Sequence, residues 1–249
     1  MRNEGIEREE ALVKALDGKR LKNLNQNLQF MVLHIFKDEK NTSKLSCKLT
    51  DNYIKPDIVL SCNGKVAYIS IKSGQAQVLH GENIKSFILF LRSIGISEET
   101  QKTILYFQFG DGTMDGKGEK RMNYRDTFNW LEKRIEKANL ELNNRDETIE
   151  AVVERVMFQG VNPAEPSADY IYFGDVDYGI LVSKRQVYTH LKHKSWHYYD
   201  NLHIGPILLK AHARYADRQI VSDERRNKIT CYWAKLAADL EYISKRYAL

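Results

Sequence analysis

Asn63 and Gly64 stand between two apolar runs, "IVLSC" (58–62) and "KVAYISIK" (65–72). Asn-Gly at that place predicts a hairpin with a two-residue loop, because both central residues of such a turn need positive φ. The turn then sets the register. Cys62 pairs with Lys65, paired residue numbers sum to 127, and Asp57 falls opposite Ser70. Side chains alternate with period 2, so Lys72 shares the face of Asp57, one diagonal step away. Val59, Val66 and Tyr68 continue that face; Ile58, Leu60, Ile69 and Ile71 make the other. Two apolar faces predict a central hairpin, with an acid and an amine at its open end.

Neither charge helps an apolar core. The plain reading is an Asp57–Lys72 ion pair at a sheet edge. The same register puts Lys55 opposite Lys72, which is unfavourable unless the strands diverge at Pro56 or an anion lies between the two amines. Glu82 adds to the second possibility. It stands at the start of "ENIKSFILFLRSI", whose apolar spacing predicts a helix, and so in that helix's first turn. Asp57 and Glu82 would together offer the hard oxygen ligands that magnesium takes beside water and phosphate.

Along the rest of the chain, residues 5–36 read as helix, broken at Asp17-Gly18. Residues 44–50 alternate as a strand, and 102–109 ("KTILYFQF") read as a buried strand. A glycine-rich loop follows, then helices over 124–142 and about 147–157. "NPAEPSA" (162–168) is the best candidate linker. "DYIYFG" and "YGILVSKRQVYTHL" read as strands, and "RRNKITCYWAKLAADLEYISKRY" as a closing helix. The order helix, three strands, helix, strand describes a mixed α/β core over residues 1–122. Residues 123–249 then form an elaboration of the same domain or a subdomain.

Composition narrows the function. The 249 residues are 43% hydrophobic and 29% charged, as in a water-soluble globular protein. The longest apolar stretches are too short to span a bilayer, and the first ten residues lack the apolar core of a secretory signal, so a cytoplasmic location without membrane contact is expected. Three scattered cysteines indicate neither a disulfide framework nor a cysteine zinc site. The net charge of +5 is concentrated: Lys184–Lys228 holds ten Lys or Arg against four Asp or Glu, with five of the seven histidines and Trp196. Such a surface suits a polyanion. Lys184, Arg185, Lys192, Lys194 and Arg214 are its candidate DNA contacts, and Lys117, Lys120 and Arg121 lie in a second basic loop. That loop is no calcium site, because Met122 stands where a bidentate Glu is needed, and its glycines lack phosphate-loop spacing. His190, His193 and His197 have zinc-like spacing only if that segment is helical. "HIGPILLKAHAR" (203–214) turns at Gly205-Pro206 as a recognition or packing element.

"Pro56-Asp57 … Ser70-Ile71-Lys72" resembles the motif of the PD-(D/E)XK nuclease superfamily, to which many type II restriction endonucleases belong. The resemblance covers about residues 5–110 and implies a restriction-endonuclease-like αβββαβ core. The family usually carries Asp or Glu where this chain has Ser70. Some restriction enzymes instead have Ser there and take the acid from the next helix, and "Lys72 … His80-Gly81-Glu82" resembles that variant. The resemblance implies a magnesium ion held by Asp57, Glu82 and the Ile71 carbonyl. Lys72 would orient the attacking water, and His80 would touch a phosphate or brace Glu82. It also implies a glutamate from the first helix, either Glu9 or Glu10. The implied activity is magnesium-dependent hydrolysis of double-stranded DNA by a homodimer. The alternatives are a catalytically silent DNA-binding module and a repair or recombination nuclease that reads DNA structure.

Overall fold

The structure, a computed structural model, describes residues 4–51, 54–74, 78–117, 124–194, 196, 201–211 and 222–247. Among these residues it is a mixed α and β fold with two sheets. In chain order the elements are α1 (Glu4–Leu16), α2 (Gln26–Ile35), β1 (Leu45–Leu49), β2 (Ile58–Cys62), β3 (Lys65–Lys72), β4 (Val78–Asn83), α3 (Ile84–Ser93) and α4 (Glu98–Phe109). Then come α5 (Tyr124–Asn143), α6 (Asp146–Val153), a wide helical turn (Glu154–Gln159), β5 (Tyr170–Gly174), β6 (Gly179–Ser183) and α7 (Lys184–Lys192). The last are β7 (His203–Ile204), β8 (Ile207–Ala211), α8 (Asp223–Arg226), β9 (Lys228–Trp233) and α9 (Leu236–Arg246). Among the described residues no helix is long and apolar enough to cross a membrane.

The chain divides into two compact units, and neither follows the boundary expected at residue 122. The first unit comprises Met1–Ala76, Glu154–His190 and Leu236–Leu249. Its sheet has the order β1-β2-β3-β5-β6. The hairpin has the register that Asn63-Gly64 dictates: Cys62 pairs with Lys65 and Ile58 with Ile69, and the turn residues have φ of 48° and 81°. With β1 on one side and β5 on the other, the hairpin is internal to the sheet. β5 runs parallel to β3, Ile69 pairing with Tyr170. Leu12 and Leu16 of α1, and Leu28 and Val32 of α2, pack with Ile58, Leu60 and Ile69 to form the core. In this unit the succession is helix, β1, β2, β3, helical turn, β5. The last helical piece and strand come from 154–174, not from residues 84–109.

The second unit comprises Gln77–Val153 and Leu191–Lys235. Its sheet has the order β4-β9-β8-β7, all neighbours antiparallel. Phe87, Ile88, Leu91, Ile104 and Phe109 are buried in this unit, as are Ile207, Leu209, Ile229 and Trp233. The hairpin at Gly205-Pro206 is a packing element, with His203, Ile204 and Ile207 all buried.

Three expectations are corrected here. Residues 102–109 lie in a helix. Ser97 caps it, its side chain accepting from the Thr100 N–H, and Gly110 ends it in the left-handed conformation. Its buried residues Thr100, Gln101, Thr103, Ile104, Leu105, Gln108 and Phe109 repeat at helical intervals. A short apolar run does not itself separate strand from helix; the caps decide. Lys184–Lys192 is helical rather than strand, started by a capping box in which Gln186 accepts from the Ser183 N–H and hydroxyl while Ser183 Oγ accepts from the Gln186 N–H. The closing helix begins only at Leu236, because "KITCYW" pairs on both sides as a strand.

Candidate active site

Asp57 precedes β2. Its N–H donates to the Ile69 carbonyl at 2.9 Å, the last rung before the strands part. Lys55 therefore stands off the ladder, and the expected opposition of Lys55 and Lys72 does not form. Divergence at Pro56 is the physical reason: proline has no N–H to continue the pairing. The Pro56 carbonyl instead accepts from the Thr50 hydroxyl.

Three donors converge on Asp57 Oδ2. The Ser70 hydroxyl donates at 3.0 Å, the Ile71 N–H also donates, and Lys72 Nζ stands at 3.4 Å. Lys72 Nζ further donates to Ser70 Oγ at 2.8 Å and to the Ile71 carbonyl at 2.9 Å. Ser70 is fully buried. The Asp57 and Lys72 side chains are largely buried, at 22% and 16% exposure, so their pairing is less screened than one on the surface. The ion pair expected from the register is present. Ser70 does more than fill the place of an acid: its hydroxyl donates a hydrogen bond to the carboxylate and accepts one from the amine.

Of the two first-helix acids, Glu9 is the one seen to feel the charges of Asp57 and Lys72. It lies one turn before Leu12, on the face of α1 that packs inward. Burial and then the negative charge of Asp57 push its carboxyl up to about 7, against the opposing pull of Lys72. One residue earlier, Arg8 Nη1 donates to Ser73 Oγ just past β3, and its guanidinium also pairs with Glu4 at 3.7 Å. Nothing in the hairpin pattern pointed to Arg8. Its alignment with Glu9 one position before an amphipathic stripe was the available signal.

Glu82 is elsewhere than expected. It lies on β4 in the second unit, paired with Ile229, and is buried with His80 Nε2 at 3.6 Å from Oε1. The helix begins two residues later, with Asn83 as its cap accepting from the Lys85 N–H. Residues 78–83 pair with β9, and strand pairing wins over an earlier helix start. Among the described residues no group of three or more His, Cys, Asp or Glu forms a ready metal cluster. A magnesium site built on Asp57 needs less. The Asp57 and Glu9 carboxylates and the Ile71 carbonyl are hard oxygens of the kind this ion takes beside its waters, so the residues present fit it.

The basic candidates fall in both units. Lys184 is engaged by Glu154 at 2.6 Å and by Ser167 at 2.9 Å. Arg185 is exposed on α7. Lys192 pairs with Glu150 at 3.3 Å, and Lys194 lies 4.3 Å from the Trp196 ring centroid. His190 is buried between the rings of Tyr242 and Tyr247, whereas His193 is exposed. Arg214, Lys120, Arg121 and His197 lie outside the described residues. No protein-family model, curated protein or solved structure matches the chain.

Proposed function

We propose that this protein is a magnesium-dependent endonuclease that hydrolyses phosphodiester bonds of double-stranded DNA, in the manner of a type II restriction enzyme. The observation that carries this reading is the convergence of Asp57, Ser70 and Lys72 at the parting of β2 and β3. The order of helix and strands in the first unit agrees with the αβββαβ core that the motif implies.

In this reading Asp57 and the Ile71 carbonyl would hold the ion, with Glu9 as the further ligand; Glu82, on β4 of the second unit, is left out of it. Bound magnesium supplies charge neutralisation at phosphorus and a more acidic water. The protein's own residues do the rest. Ser70 fixes the Asp57 carboxylate so that its orientation is set before substrate arrives. Lys72, released from the Ile71 carbonyl, places a positive charge beside the scissile phosphate and a donor on the attacking water. Ile71 N–H holds Asp57 Oδ2 from the strand side. Glu9, once deprotonated, would offer a further carboxylate oxygen to the ion.

Plasmid and phage DNA incubated with the protein should be cut with magnesium and left intact with a chelator. Discrete fragments indicate sequence reading. Failure to cut any duplex across metals and salts would defeat the nuclease. One observation favours the silent DNA-binding module as second reading: in Ser70 the site holds a hydroxyl where the motif usually has a carboxylate. Binding without cleavage would be its signature.

Pairing of two chains belongs to the same proposal, since cutting both strands of a palindrome calls for two sites related by a two-fold axis. Light scattering should then give twice the 29.0 kDa of one chain, plus the mass of the duplex when DNA is present. A single-chain mass with and without DNA would refute the dimer.

A further inference from the structure

The second unit's sheet segregates its charge. On β4, β8 and β9 the only carboxylate is Glu82, and its pairing with Ile229 sets it on the core face with Leu209 and Trp233. The opposite face centres on Thr230. Across the ladder Thr230 pairs with Gly81 on one side and Lys210 on the other, and along β9 its same-face neighbours are Lys228 and Tyr232. Both lysines are exposed, and neither pairs with a carboxylate among the described residues.

The geometry around Thr230 is specific. The Lys228 stem crosses Gly81 so closely that a Cβ there would meet Lys228 Cε at 2.5 Å. Lys210 Nζ lies 4.6 Å from the Tyr232 ring centroid. Between them the Thr230 hydroxyl is buried and has no hydrogen-bond partner among the described residues. A buried hydroxyl without a partner is unfavourable, and an incoming acceptor satisfies it once neighbouring side chains move aside to expose it. Two ammonium groups beside it make that acceptor an anion. The two lysines are offset by about 5 Å across and about 7 Å along the sheet, which spreads their charge along a strand rather than around one compact ion. The half-buried Tyr232 ring gives a flat neighbour for sugar or base.

We propose that this face binds the phosphodiester backbone of duplex DNA, with Lys210 and Lys228 as its ammonium contacts and Thr230 as the hydroxyl donor between them. The inference rests on the reading of the chain as a DNA-acting protein. It adds a contact surface in the unit that does not hold Asp57, on residues that the basic 184–194 segment does not include.

The test is fluorescence anisotropy with a labelled duplex, without magnesium, across a salt series, with a single-stranded oligonucleotide as a second arm. The double variant Lys210→Gln/Lys228→Gln should bind more weakly. Its dependence of log affinity on log salt should flatten by about 0.9 per lysine removed. Lys137→Gln, the same charge change on an exposed position of α5, should change the slope little. Gly81→Ala keeps both charges but displaces the Lys228 stem, and should weaken binding nonetheless. Thr230→Val keeps shape and should lose about two- to tenfold in affinity with the slope unchanged. An unaltered slope in the double variant, or an equal effect from Lys137→Gln, overturns the proposal. Loss confined to the single-stranded arm overturns the duplex assignment. Cleavage is read separately. A wild-type chain that binds through this face yet never cuts defeats the nuclease alone. A chain that cuts while the double variant binds normally defeats this surface alone.

Discussion

Asp57→Asn should lower DNA cleavage by roughly 10²–10³-fold, the scale on which losing one transition-state stabiliser is felt, while binding measured without magnesium holds. The substitution keeps shape but replaces the anionic oxygen on which Ser70, Ile71 and Lys72 converge. Lys72→Ala should lose about 10²–10⁴-fold, the range for a positioned proton-transfer or charge-bearing group. Ser70→Ala should be milder, about two- to tenfold, because it removes hydrogen bonds rather than charge. Glu9→Gln tests the further ligand: a loss as deep as that of Asp57→Asn identifies Glu9 as a ligand of the ion, and near-normal activity removes it. Cleavage that survives Asp57→Asn would sink the whole site.

Glu9→Gln should stabilise the metal-free protein at pH 8 by about 1–2 kcal/mol, a figure reduced for the solvent screening of a half-buried group. The sign follows from proton binding. The Glu9 carboxyl titrates at about 7 in the folded chain against an ordinary value of 4.5. Between those values the folded state binds more protons than the unfolded state, so stability falls as pH rises through the window. Its contribution is full below 4.5 and gone above about 7. Gln, neutral throughout, escapes the loss. Urea unfolding of both proteins at pH 4.5 and pH 8 tests this; equal stability at pH 8 would contradict the burial of Glu9 beside Asp57. Magnesium should stabilise wild type at pH 8 more than the Gln variant if Glu9 is a ligand.

The parts of the site that are local in sequence were legible, and the parts that depend on distant pairing were not. Asn63-Gly64 sets the hairpin register, and the register alone places Ser70 and Lys72 on the face of Asp57. The bond from Ser70 to both partners follows from that. Glu9 over Glu10 depended on which side of α1 meets the sheet, which Leu12 and Leu16 indicate once the helix is docked. Glu82 was misplaced because residues 78–83 become a strand only through β9, nearly 150 residues later. The strand beside β3 was misassigned for the same reason: "KTILYFQF" and "DYIYFG" are both short apolar runs. What separates them is the Ser97 cap and Gly110, against the β-branched and aromatic alternation of Tyr170–Gly174. The capping box at Ser183 and Gln186 was present in the chain and marks the end of β6 directly.

The parallel partnership of β3 and β5 also governs how the protein is made. Ile69 leaves the ribosome about 100 residues before Tyr170, its neighbour in the sheet. At about 5–20 residues per second that is an interval of roughly 5–20 s. During it the β2–β3 hairpin can close on its own turn, while the outer edge of β3 stays unpaired and open to other nascent strands. Such late, long-range closure slows folding and raises the demand for chaperones. Expression at low temperature, with synthesis slowed, should therefore favour soluble chain over aggregate, and the acid, hydroxyl and amine of the hairpin should be assembled well before the sheet around them is complete.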